Sequence, residues 1–191
     1  MPQKNPTNLV ADVLSKLVSH IPDSNEAVST KPADRAGTIA RKAALKAAGV
    51  SGTLALPPGP LGFATILPDL LAVWKIQQAM VADIAAIHGQ SAVLDPKTMV
   101  YCLFKHGGAA LVRDLVTRVG QRYVIRRASL RVVQSILEKA SIRVTQRVLS
   151  KGISRFVPIA GALAAGGYAY YDTTKVAATA IELFSRQVDL E

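Results

Sequence analysis

Three histidines, His20, His88 and His106, and a single cysteine, Cys102, are the side chains of this 191-residue chain best suited to metal or nucleophilic chemistry. A zinc site needs three or four converging ligands, usually announced by short-range spacing such as HExxH or paired CxxC. Neither occurs, and one cysteine builds no internal disulfide or thiolate cluster, which fits a reducing compartment and a small buried hydrophobe inside a helix. No Walker A or GxGxxG phosphate loop is present; Gly49-Val50-Ser51-Gly52 lacks the spacing of a nucleophile elbow, and His106-Gly107-Gly108-Ala109 reads as a helix end rather than an oxyanion loop. Asp69 and Asp83 lie about four helical turns apart and form no acid/base pair. Asp69 suits a helix start, and Asp83 suits a structural pairing with an arginine of a neighbouring helix. The expectation is a non-enzymatic protein without catalytic residues, metal or cofactor.

Charge is the stronger signal. Lys and Arg number 23 against 13 Asp and Glu, a net charge of +10, and nearly all of the excess lies between Arg113 and Arg155. Arg118, Arg122 and Arg126 recur every four residues, as do Lys139, Arg143, Arg147 and Lys151, so on helices each set forms a basic ridge. Like charges four apart repel by a few tenths of a kcal/mol per pair, a cost that an anionic surface relieves. Phospholipid headgroups supply about 1 kcal/mol per basic residue. A solvated face that keeps the protein soluble is the plain alternative. Nucleic acid is disfavoured, because aromatic residues are only 5% of the chain and no recognised module is visible.

The mean hydropathy of +0.26 is high for so basic a chain. Two apolar stretches carry much of it. Ala47 to Pro68 is uncharged but broken by Pro57, Pro58, Pro60 and Pro68, and Phe156 to Tyr171 falls short of the roughly 20 residues of a spanning helix. Both are suited to shallow insertion, through Leu56, Leu61 and Phe63 in the first and Phe156, Val157, Ile159, Leu163, Tyr168, Tyr170 and Tyr171 in the second. The tyrosines suit an interface because their rings are apolar and their tips polar. Four-residue spacings of small residues, Gly161 with Ala165 and Ala162 with Gly166, equally suit tight helix packing in water.

The elements that would hold these residues are helical throughout. Leu9, Val10, Val13, Leu14, Leu17, Val18 and Ile21 outline a short amphipathic helix, and Pro22 to Pro32 is rich in turn residues and reads as a linker, so residues 1–32 are set apart from a domain over 33–191. A helix from Ala33 to Val50 has one basic side with Arg35, Arg41, Lys42 and Lys46. Another starts at Pro68, buries Val73, Ile76, Met80, Ile84 and Ile87 and stops at Gly89; Asp95-Pro96 caps the next. Basic helices over about 109–126 and 129–150 follow, and a last helix spans about 173–187. The predicted fold is all-α, a compact multi-helix bundle with two apolar Gly/Pro/Ala-rich segments and two basic amphipathic helices. The polar, proline-containing start, Met1 to Pro6, has no secretory character.

Leu67-Pro68-Asp69-Leu70, Ala82 to Gly89, Asp95-Pro96 through Cys102-Leu103 to Gly107-Gly108, and Val157 to Ala162 followed by Tyr170-Tyr171-Asp172 together resemble the bacterial EcsC family over about Ala33 to Phe184. His88 departs from that pattern, where related sequences place a tyrosine before the glycine. The resemblance implies a helical protein at the cytoplasmic membrane linked to a transporter and secretion, and carries no catalytic residue. The function expected is thus a membrane-associated accessory or scaffold, peripheral at the inner face of the cell membrane, docked on anionic phospholipid and serving a transporter or other protein partner. The alternatives are a soluble helical domain holding a lipid or other apolar ligand in an interior pocket, and a pore-forming protein.

Overall fold

Helices form where apolar residues recur every three or four positions and where a side chain or a glycine closes the end. The computed structural model describes residues 6–54, 62–107, 112, 115–125, 130–151 and 158–190. In chain order these give α1 (Pro6–Ser19), α2 (Pro32–Leu54), α3 (Gly62–Ile87), a short 3-10 turn (Ser91–Val93), α4 (Pro96–Phe104), β1 (Val116–Val119), β2 (Arg122–Ile125), α5 (Leu130–Lys151), α6 (Pro158–Phe184) and β3 (Val188–Leu190). The architecture is a multi-helix bundle with one small three-stranded sheet at its side.

Local chemistry sets several boundaries. Asp95 caps α4 by accepting the Thr98 backbone N–H at 2.8 Å and the Thr98 hydroxyl at 2.8 Å, with Pro96 in the first turn. Gly89 stands at φ +70, the left-handed conformation that ends α3 without a Cβ penalty. That helix starts at Gly62, six positions ahead of the start expected at Pro68, and carries the proline inside it. Pro68 is exposed and has no N–H to donate, so one bond of the helix ladder is missing at that point.

One core joins the elements. Val10, Leu14, Leu17 and Val18 of α1 share a buried cluster with Met80, Ile84 and Ile87 of α3, Met99 to Leu103 of α4, Val133, Ile136 and Leu137 of α5, and Val176, Leu183 and Phe184 of α6. The first helix is therefore a member of the bundle, packed chiefly against α5, and not an appendage. Its connection to α2 is strapped down as well: the Ser29 N–H donates to the Ile87 carbonyl at 2.9 Å, the Ser24 hydroxyl to Asp83 at 2.6 Å, and Arg35 grips Glu26 with two bonds of 2.9 and 2.6 Å. Asp83 thus takes its hydrogen bond from a serine of the strap, while its charge also acts favourably on Arg35 of the neighbouring α2.

The segment around Arg118 departs from the expected helix. Val116–Val119 and Arg122–Ile125 form an antiparallel hairpin, and Val188–Leu190 adds a parallel strand beside the second. Its two-residue loop has Gly120 at φ +62 and Gln121 at negative φ, the sign pattern of a type II′ turn. The C-terminus also differs: the expected glycine-rich stretch and last helix are one continuous helix, α6, from Pro158.

Candidate functional site

Small residues let α6 approach its neighbour. Gly166, Ala169 and Thr173 lie on its packed side, and Ala36, Ala44 and Ala47 are buried on α2, which packs most extensively against α6. Ala47 and Ala169 meet in a satellite cluster with Val73 of α3. The small-residue spacing within the described part of this segment therefore serves helix packing inside the fold.

That choice of inner face dictates the outer one. At 100° per residue, Leu163, Gly167, Tyr170, Tyr171 and Thr174 fall together opposite Ala169, Thr173, Val176 and Ala180, with Tyr168 and Lys175 at the edge. Leu163 is 72% exposed, Tyr168 43%, Tyr170 39% and Tyr171 57%. A helix of this amphipathic kind normally turns charge to solvent; this one turns a leucine and three tyrosines there as well as Lys175 and Glu182. Lys175 Nζ lies 5.2 Å from the centre of the Tyr171 ring, within cation–π range. On the adjoining α2, Arg41, Lys42, Leu45 and Lys46 are exposed, Leu45 at 60%. The basic side expected for α2 is present, and Leu45 lies within it.

The first expected basic ridge does not exist. Arg118 stands opposite Tyr123 across the hairpin and Arg122 opposite Val119, so by strand alternation the two guanidinium groups leave opposite faces of the sheet. Arg118 Nε donates to the Gly120 carbonyl at 3.2 Å, and Arg122 lies 3.7 Å from Asp189 of β3. Arg126 lies outside the described residues. The second set does occupy one helix: Lys139 is exposed on α5, and Arg143, Arg147 and Lys151 follow along it, their side chains outside the described residues. Each four-residue step advances 40° around the axis, so this row winds instead of running straight. Leu56, Leu61, Phe156 and Val157 also fall outside the described residues, as do the side chains of Phe63 and Ile159.

Two polar clusters fix the register of α6. His106 Nε2 lies 2.8 Å from Asp172 Oδ1, while the buried Gln77 amide donates to Asp172 Oδ2 at 2.9 Å and to the Thr173 hydroxyl at 3.2 Å. At the C-terminal end of α4, Lys105 Nζ bonds Glu182 at 2.9 Å, and the Tyr123 hydroxyl donates to the same carboxylate at 2.6 Å. Those two donors hold Glu182 below its ordinary pKa. Burial and then the Glu182 carboxylate push Tyr123 up, and Lys105 is raised because its bonds to Glu182 and Tyr101 outweigh desolvation. Among the described residues no three His, Cys, Asp or Glu side chains converge as a metal site would require. Cys102 is fully buried, and burial pushes its thiol pKa far up, which keeps it protonated and inert at neutral pH.

Leu70–Ile87 is long and apolar enough to cross a membrane, and 61% of it is buried in the fold, as in a core helix. Comparison with known proteins finds no matching family model, no matching curated protein and no matching solved structure.

Proposed function

We propose that this protein is a non-enzymatic accessory or scaffold that docks on the cytoplasmic face of a membrane rich in anionic phospholipid. The observation that carries the reading is the exposed face of α6 with Leu163, Tyr170 and Tyr171, and Tyr168 at its edge. An apolar-aromatic helix face with basic residues beside it is the composition that lies in the headgroup region, where rings reach the acyl boundary and ammonium or guanidinium groups meet phosphate. Arg41, Lys42 and Lys46 of α2, with Lys175, supply that charge. The resemblance to the EcsC family, resting on its landmarks in the sequence alone, points to the same surface and to a transporter as the partner served.

Sedimentation with vesicles tests this. The full chain is expected to pellet with phosphatidylglycerol-containing vesicles and to stay in the supernatant with purely zwitterionic ones. Tyr168→Ser with Tyr171→Ser, both exposed and outside the buried core, should cut the bound fraction at least tenfold. Equal pelleting of the variant and the parent removes α6 as the docking face. Leakage of trapped dye at saturating binding would replace docking by pore formation.

A further inference from the structure

A second feature lies away from α6, where α1 meets α3. Val13, Lys16, Leu17 and His20 follow i, i+3, i+4, i+7 on and just past α1, and Leu71, Lys75 and Gln78 follow i, i+4, i+7 on α3. Matched stripes of this spacing ordinarily close on each other. Here they enclose an open cleft of about 490 Å³, within the roughly 300–1,000 Å³ typical of small-molecule sites. Seven residues of helix run about 10 Å, so the cleft is elongated along two helices and suits a chain better than a disc.

Its wall is almost wholly apolar, from Val13, Leu17, Pro22 and Leu71. The charged groups that line it are both cationic, Lys16 and Lys75, with His20 beside them, and no carboxylate lines it among the described residues. A helix C-terminus brings unpaired carbonyls, which would repel an anion. Gln78 answers this: its amide donates to the Leu17 carbonyl at 2.8 Å and, more weakly, to that of His20 at 3.5 Å. The Leu17 carbonyl also accepts the His20 N–H at 3.2 Å, so Gln78 gives it a second donor and gives the His20 carbonyl a weak one, leaving ammonium groups to set the sign of the site.

From this charge complementarity we infer that the α1–α3 cleft binds a free long-chain carboxylate, a fatty acid whose chain lies along Val13, Leu17 and Leu71 and whose head group is held by Lys16 and Lys75. The inference stands apart from membrane docking, since the cleft shares no residue with the exposed face of α6.

Calorimetric titration of the full chain with octanoate, decanoate and dodecanoate, each below its micelle-forming concentration, tests it without vesicles. One molecule is expected per chain, with affinity rising about three- to fourfold per added methylene. Dodecanol should bind at least tenfold more weakly than dodecanoate. Lys16→Gln with Lys75→Gln should erase that difference while leaving dodecanol binding unchanged, which also reports that the variant is folded. Val13→Trp, which fills the cleft, should abolish both. Equal affinity for acid and alcohol overturns the carboxylate assignment; absent or many-per-chain binding, or binding insensitive to Val13→Trp, overturns the site itself. Tyr168→Ser with Tyr171→Ser should titrate like the parent, so failure of docking and failure of the cleft are told apart.

Discussion

Glu182 serves two donors at once, the Tyr123 phenol at 2.6 Å and the Lys105 ammonium at 2.9 Å, and so ties the hairpin and the end of α4 to α6. Its pKa is lower folded than unfolded, so its contribution is present above the ordinary carboxylate range, about pH 4.3, and disappears as pH falls through the lower folded value. Lys105 and Tyr123 are shifted the other way; their contribution is full below about pH 10 and is lost as pH rises through their raised values. Glu182→Gln should therefore lower the stability measured by urea unfolding at pH 7 by less than about 1 kcal/mol, because the carboxylate is partly solvated, and the gap should vanish in acid. A gap that does not change between pH 7 and acid would show that Glu182 acts by packing alone. Gly120 makes a backbone demand: at φ +62 with open space around its missing Cβ, Gly120→Ala should cost about 1 kcal/mol through conformation only, seen as faster amide exchange in the hairpin.

Elements whose ends are written in single residues are legible in the sequence. Asp95-Pro96 and Gly89 start and stop their helices as chemistry requires, and of the expected stripe Val73, Met80, Ile84 and Ile87 are buried on α3 while Ile76 is half-buried. The hairpin is not legible in this way, because Arg118 and Arg122 bracket a two-residue turn and so imitate the four-residue spacing of a helix, while Val112, Leu115, Val116, Val119 and Tyr123 satisfy helical periodicity by coincidence. Strands of four residues are too short for alternation to assert itself, and the partner that stabilises β2 comes from Val188–Leu190, more than sixty positions on. The Gly120 turn between runs rich in β-branched and aromatic residues is the signal that distinguishes it. The candidate site divides the same way: the tyrosines stand out by type, but their exposure depends on which side of α6 meets α2. For α1, apolar spacing announces the helix while the turn-rich stretch after it hides that the chain folds back along α3. Leu14 is fully buried there, so Leu14→Ala should cost about 2–5 kcal/mol and lower the single unfolding transition of the whole protein. A detachable helix would leave that transition in place.

At the scale of the molecule, the basic residues that the structure describes are spread over α2, the hairpin and α5 rather than gathered in two straight ridges. Such charge attracts an anionic surface from a distance but is screened within about 8 Å at physiological salt and about 3 Å at 1 M. Contact of tyrosine and leucine with the acyl boundary is not screened. The two contributions should therefore separate in a salt series on phosphatidylglycerol-containing vesicles. Lys42→Glu with Lys46→Glu should lower binding most at low salt and converge with the parent as salt rises, because it removes only what salt removes. Tyr168→Ser with Tyr171→Ser should lower binding by a similar factor at every salt concentration, because the ring contacts it deletes do not depend on ionic strength. If Lys42→Glu with Lys46→Glu leaves binding at the parent's level at every salt concentration, low salt included, α2 and α6 do not act as one docking surface, and the basic face of α2 is a solvated one.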